Sequence, residues 1–271
     1  MADDAQHMAQ VKQMMKAMWT SGDFGQIAKH MEGEAEKFVA RLGLKPGMRV
    51  LDVGCGTGNQ SIPAARTGAQ VTGVDIAPNL LAQAAERAER EGLTVDFREA
   101  DAEALPFADA EFDVVMSMFA AIFAPRPELV VSELLRVCRP GGLIAMGNWT
   151  PDGLVAKQNG IMARFVPPPP GSSNPFDWGD ESVVRTRFGD RAEVTCTHRP
   201  FIFDLPLAPE EAGEFFRRYL GPMHIVMSRL DDNGKQQLLE ALVKMWVGEN
   251  HGDEGHTVIP SEYLEVHARR K

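Results

Sequence analysis

The residues able to do chemistry gather first at Val50-Leu51-Asp52-Val53-Gly54-Cys55-Gly56-Thr57-Gly58. A short apolar strand carrying one acid ends there in glycines at every second position. Glycine lets the chain turn sharply off a strand and lets a ligand lie against the main chain. Free N–H groups at the start of the next helix then face that ligand. This is the pattern of a nucleotide site. A dinucleotide site wants Gly-x-Gly-x-x-Gly to seat a pyrophosphate. Its third glycine would fall at position 59, which is Asn59. Asp52, read as facing the ligand, would repel a pyrophosphate and attract an ammonium group. Asp75 follows Gly54 by about 20 residues, the spacing of an acid that binds ribose hydroxyls. At Asp101, a carboxylate can accept a hydrogen bond from an exocyclic adenine amine. Together the three acids suit a ligand with a cation, a diol and an adenine: an adenosine that carries an amino acid, as S-adenosylmethionine does.

Alternating strands and helices must position these acids. Residues 4–42 read as helices, with Met8, Val11, Met14, Met15 and Met18 forming an apolar stripe. Ser21-Gly22-Asp23 breaks the run, and Lys45-Pro46-Gly47 turns into the first strand. Further strands are expected at 71–75, 94–98, 112–117 and 143–149. Helices open at Pro78 and Pro127 between them, proline suiting a first turn. Apolar strands separated by helices predict a parallel, doubly wound sheet. Beyond Trp149 the spacing predicts a helix over 153–165, then a loop over 166–181 holding Pro167, Pro168, Pro169 and Pro170. A strand over 193–203, helices over 208–247 and a last strand over 263–267 follow.

Five stretches resemble, in order, the motifs of class I S-adenosylmethionine-dependent methyltransferases. They are the glycine loop; Val71-Thr72-Gly73-Val74-Asp75; Glu99-Ala100-Asp101-Ala102-Glu103-Ala104-Leu105-Pro106-Phe107; Phe112-Asp113-Val114-Val115; and Leu135-Arg136-Val137-Cys138-Arg139-Pro140-Gly141-Gly142. The nearest subgroup is typified by the ubiquinone/menaquinone-biosynthesis methyltransferases and many small-molecule methyltransferases. The match covers roughly residues 45–150; beyond Trp149 the chain departs from the quinone enzymes. The resemblance implies an α/β, Rossmann-like, doubly wound seven-stranded sheet with its last strand antiparallel. N-terminal helices and a helical insertion between the late strands complete it. It implies one methyltransferase domain over 1–271, with a helical cap at 1–44 and a cofactor-binding core at 45–150. Substrate-covering insertions are expected at 151–192 and 208–250.

By the same resemblance the cofactor is S-adenosylmethionine. Gly54, Gly56 and Gly58 would line it, with Cys55 and Thr57 between them. Asp75, followed by Ile76, would hold the ribose, and Asp101, followed by Ala102, the adenine. Ser117 and Phe119 would approach the methionine sulfur, and Trp19 of an N-terminal helix would close over it. Methyl transfer from a sulfonium is an in-line displacement by a donor already activated. The protein therefore mainly aligns the partners and excludes water, and no fixed catalytic base need be visible. Tyr219 and His224 are the candidates for one. Trp149, Trp178, Tyr219 and His224 are the candidates on the acceptor side, where Arg164 and Arg217 would suit an acidic substrate.

The bulk numbers narrow the rest. A formal net charge of −10 argues against non-specific binding to nucleic acid. Cys55, Cys138 and Cys196 are scattered and odd in number, without disulfide or zinc spacing, and fit a reducing cytoplasm. They do not read as the clustered thiols of arsenic-methylating relatives. His251 and His256 share a Gly/Asp loop, but no metal is expected. Met1-Ala2-Asp3-Asp4 opens no secretory signal, and no stretch reaches a membrane span. The expectation is a cytoplasmic enzyme methylating O, C or N of a hydrophobic or aromatic metabolite. Its oligomeric state stays open, a homodimer included. The alternatives are a methyltransferase on RNA or protein, and a non-catalytic sensor of the cofactor.

Overall fold

Buried β-branched runs build the centre of the sheet. β1 (Arg49–Val53) is buried from its second residue onward, as is most of β4 (Phe112–Met118). β2 (Gln70–Asp75), β3 (Val95–Glu99) and β5 (Cys138–Trp149) complete the parallel part. The computed structural model describes residues 2–168 and 172–271; Pro169 and Pro170 of the proline run, with Gly171, lie outside the described residues.

α1 (Ala2–Thr20), α2 (Phe24–Ala28) and α3 (Glu32–Arg41) precede the sheet. The break after α1 uses Gly22 at φ +83°, where a Cβ would sit 2.8 Å from the Tyr219 carbonyl oxygen. α4 (Ser61–Arg66) follows β1, and α5 (Pro78–Arg90) follows β2. α5 buries Leu80, Leu81, Ala84 and Ala88 at helical spacing against the sheet and exposes its charged side. α6 (Pro127–Val137) does the same through Val130, Val131, Leu134 and Leu135. The connection from β3 to β4 contains no helix.

The chain then forms α7 (Leu154–Phe165), α8 (Glu181–Phe188) and β6 (Ala192–Leu205). α8 stands where the sequence reads a loop ending. Val183, Val184 and Thr186 weaken its helix propensity, but Asp180 caps it by accepting from the N–H groups of Ser182 and Val183. α9 (Pro209–Tyr219), α10 (Gly221–Ser228) and α11 (Asp232–Glu249) separate β6 from β7 (Thr257–Arg270).

The strand order is β3-β2-β1-β4-β5-β7-β6, with β7 antiparallel to both neighbours. This is the seven-stranded Rossmann-like sheet expected. The order reverses between β1 and β4, so the carboxyl ends of β1–β4 open one crevice, where such sheets bind ligands. Trp149 pairs with Tyr263, and Tyr263 with Arg199. The last six residues of β6, 200–205, therefore run past the end of β5 and carry Phe201 and Phe203 over that crevice.

Candidate active site

Gly54 and Gly56 take φ of +73° and +52° as the chain leaves β1. A Cβ at Gly54 would lie 2.3 Å from that of Ala120, whereas one at Gly56 would meet nothing within 4 Å. The first glycine is needed for close packing. The second leaves bare backbone facing free space in a cavity that it lines. Asp75 Oδ2 accepts from the Gly56 N–H at 2.8 Å, and Oδ1 from the Ala77 N–H at 2.9 Å. Burial pushes the Asp75 carboxyl up, and these N–H groups pull it back. Each oxygen keeps a further lone pair for a ligand hydroxyl.

At the end of β3, Asp101 Oδ1 accepts from the Glu103 N–H at 2.9 Å. Its other oxygen is paired with Lys12 of α1, which also reaches Glu103 at 2.9 Å. The cavity is thus covered by α1 at the carboxyl end of β3, and Lys12 lines it there.

Gly54, Cys55, Gly56, Thr57, Asp75, Ile76, Asp101 and Ala102 come together on one wall. Trp19, Phe119 and Trp149 join the same cavity. Phe119 adopts φ +60°, uncommon for a bulky residue. It is held by stacking on Trp149, with centroids 3.7 Å apart, while Trp19 packs on Phe123 and Phe24. Phe203 stacks beyond Trp149, and Phe216 on Trp246.

Six sequence candidates lie elsewhere. Asp52 is wholly buried beneath the loop, not lining the cavity. Its Oδ2 accepts from Ser61 Oγ at 2.6 Å, and its Oδ1 has no partner among the described residues. Burial, aided by the charge of Asp75, pushes it up to about 7, and it faces Ser61 in the interior rather than a ligand in the cavity. Gly58 packs against Ala84 and Ile62 under the loop. Ser117 donates to the Val53 carbonyl and accepts from the Ala121 N–H, bracing the strand ends. Trp178 is buried under Arg187, whose guanidinium lies 4.4 Å from its ring, because a helical turn at Pro175–Gly179 tucks it into the core. Tyr219 packs on Phe215 outside the cavity. His224 faces Ser21 Oγ at 2.7 Å through Nδ1 and the Arg218 carbonyl at 3.0 Å through Nε2. A carbonyl only accepts, so Nε2 carries a proton. The ring pins α10 to the end of α1.

Arg217 is paired with Glu214, and neither it nor Arg164 lines the cavity. Among the described residues no group of three or more His, Cys, Asp or Glu is placed to hold a metal.

Sequence reasoning missed Lys12, Gln60, Leu154, Val155, Gln158, Phe203, Phe216 and Trp246, all of which line the cavity. Leu154, Val155, Gln158, Phe216 and Trp246 fall within the insertions expected to cover the acceptor, but no residue-level signal singled them out, and Lys12, Gln60 and Phe203 lay outside those stretches. Nothing local told core packing from cavity lining.

A family model described as a methyltransferase domain matches residues 51–146. A phosphatidylethanolamine N-methyltransferase of Cereibacter sphaeroides is 36% identical over 204 residues, covering 73% of this chain and 92% of that one. An uncharacterized protein of Mycobacterium tuberculosis is 40% identical over 210 residues, 76% of this chain and 77% of that one. The solved structure of a putative methyltransferase from Bacillus halodurans superposes with a TM-score of 0.59 at 21% identity, covering 88% and 98%.

Proposed function

This chain belongs to the class I S-adenosylmethionine-dependent methyltransferases, and we propose that it methylates a small hydrophobic or aromatic metabolite. One observation carries the reading. The glycine loop and its two lining carboxylates share a single cavity with a wall of uncharged, mostly aromatic side chains. The residues fit the cofactor: bare backbone at Gly56, the Asp75 carboxylate beside it, and Asp101 at the next strand end.

When bound, S-adenosylmethionine supplies an electrophilic methyl group on a sulfonium. Asp75 would hold the ribose hydroxyls, and Asp101 the adenine amine, with Lys12 beside it. Phe119, fixed by Trp149, shapes the floor where the acceptor meets the methyl group. Trp19 and Phe123 close the mouth and exclude water. The insertions at 151–192 and 208–250 supply the acceptor wall together with Phe119, Trp149 and Phe203.

Among the described residues the lining contains no His or Tyr, and burial raises the Cys55 thiol well above its usual value. No lining group beyond the two cofactor-side carboxylates is a ready base. This favours an acceptor nucleophile reactive in its neutral form, such as an amine nitrogen or an electron-rich carbon. Among the described residues no helix is long and apolar enough to cross a membrane, and with the net charge of −10 we read a cytoplasmic enzyme that does not act on nucleic acid.

The test is a transfer assay with methyl-tritiated S-adenosylmethionine and a lysate of the source cells, its products split into small molecules, protein and RNA. Label is expected among small molecules and should vanish with Asp75→Ala. That variant should also weaken cofactor binding by about 2–4 kcal/mol in calorimetry, through loss of charge-assisted hydrogen bonds. Label in protein or RNA would overturn the acceptor class. Cofactor binding without any label would favour a sensor.

A further inference from the structure

The cavity has two walls of different chemistry. Its charged lining residues are Lys12, Asp75 and Asp101, all at the ends of β2 and β3 or on the helix covering them. The opposite wall comes from Phe119, Trp149, α7, β6, α9 and α11, and carries no charged side chain. One side chain breaks its apolar character. Gln158, on the third turn-facing position of α7 after Leu154 and Val155, is 6% exposed and lines the cavity. Among the described residues its amide makes no hydrogen bond. On α11, which packs against α7, the indole N–H of Trp246 is buried without a partner among the described residues.

The Gln158 amide is not sealed off as the Trp246 N–H is, so it meets whatever fills the cavity; set in an apolar wall, it costs free energy to desolvate that an apolar side chain of the same shape would not, unless a ligand pairs with it. Leu or Met would fill this position in a wall meant only to be greasy. Gln60 is the other amide of the lining with no hydrogen-bond partner among the described residues, but it directly follows the glycine loop and belongs to the cofactor wall.

We propose that Gln158 is the specificity-determining residue for the acceptor. It hydrogen-bonds the one polar group of a neutral, otherwise apolar or aromatic compound: a hydroxyl, carbonyl or amide. An amide both donates and accepts, so it reads such a group in either sense but cannot neutralise a carboxylate or phosphate. The uncharged wall around it rejects anionic acceptors by desolvation. This rests on the methyltransferase reading of the same cavity.

The test uses protein saturated with S-adenosylhomocysteine and three probes of one shape: 2-methylnaphthalene, 2-naphthol and 2-naphthoate, titrated by quenching of tryptophan fluorescence. Wild type is expected to bind 2-naphthol about tenfold tighter than 2-methylnaphthalene, the size of one net hydrogen bond, and 2-naphthoate more weakly than either. Gln158→Leu should bring 2-naphthol to within about twofold of 2-methylnaphthalene while S-adenosylhomocysteine affinity stays unchanged. Gln158→Glu, a second variant of nearly equal size, should lose 2-naphthoate entirely and gain a cationic probe, 2-naphthylmethylamine. A naphthol preference that survives both substitutions, naphthoate binding as tight as naphthol, or no binding of either neutral probe overturns the assignment. Failure of S-adenosylhomocysteine to bind wild type overturns the methyltransferase reading, and this inference with it.

Discussion

Asp52 and Asp75 are both acids at the ends of adjacent strands, yet their surroundings give them different work. Asp75 meets backbone N–H groups and the cavity; Asp52 meets Ser61 and the protein interior. Its carboxyl, held at about 7, stands above its value in the unfolded chain, near 3.8. A group shifted upward disfavours the folded state once the unfolded chain ionises. Its contribution to stability is therefore most favourable below pH ~4, falls as pH rises to about 7, and levels off above. Asp52→Asn removes this slope. Denaturant titrations from pH 4 to 8 should show the variant gaining on wild type up to about pH 7, then running parallel. Parallel curves throughout would mean that Asp52 is ionised at all these pH values. The acids themselves were legible in the sequence, because strand ends and glycine spacing announce them. Which face each side chain takes was not. That depends on what packs under the loop, here Ser61 at the start of α4.

At the scale of elements, the late strands are tied to the N-terminal helices by a buried ionic cluster. Glu265 of β7 is 2% exposed and meets Arg41 of α3 at 2.6 Å and Arg199 of β6 at 3.2 Å. The Tyr263 hydroxyl donates to Glu34 at 2.8 Å and accepts from Arg41 at 2.6 Å. Burial, and then the carboxylate of Glu34, push the Tyr263 phenol upward, so it stays a neutral donor. Its ring lies 5.3 Å from that of Phe119, linking this cluster to the cavity floor. Arg41→Ala leaves Glu265 with Arg199 as its one guanidinium, beside His267 and the Tyr263 hydroxyl at 3.4 Å each, and should cost about 3 kcal/mol, toward the low end for breaking a buried pair. Urea unfolding would measure it, and a loss below about 1 kcal/mol would show solvent reaching Glu265. α1 is fastened differently: Trp19 packs on Phe123, Lys12 reaches the buried Glu103, and its remaining ion pairs, Lys12 with Asp101 and Lys16 with Glu99, are partly exposed. Contacts of that kind are weak and screened by salt, which suits a cover that must let a ligand pass. Helix periodicity foretold α1, α5 and α6. The network between α3 and β7 joins residues more than 200 positions apart, and no local pattern reports such a pairing.

Across the whole molecule, the cavity lies where the sheet order reverses and is finished by segments from both ends of the chain. α1 and α2 supply Trp19 and Phe24; β6, α9 and α11 supply Phe203, Phe216 and Trp246. A ligand held by so many elements should stabilise them together. S-adenosylhomocysteine at a hundred times its Kd is expected to add about 2.7 kcal/mol to unfolding, seen as a rise in Tm that Asp75→Ala largely removes at the same concentration. An unchanged Tm for wild type would separate the cavity from the cofactor. The sequence by itself determined the parallel part of the sheet and its glycine loop, because strand periodicity and turn chemistry are local signals; the seventh, antiparallel strand and the cofactor followed from the ordered motifs it shares with the family. Only the tertiary structure decided which side chains line the cavity beyond the glycine loop. It withdrew His224, Tyr219 and Trp178 from the cavity and brought Gln158 into it. Whether a side chain on an amphipathic helix meets solvent, core or cavity depends on what the opposing element presents, and those elements here come from distant parts of the chain.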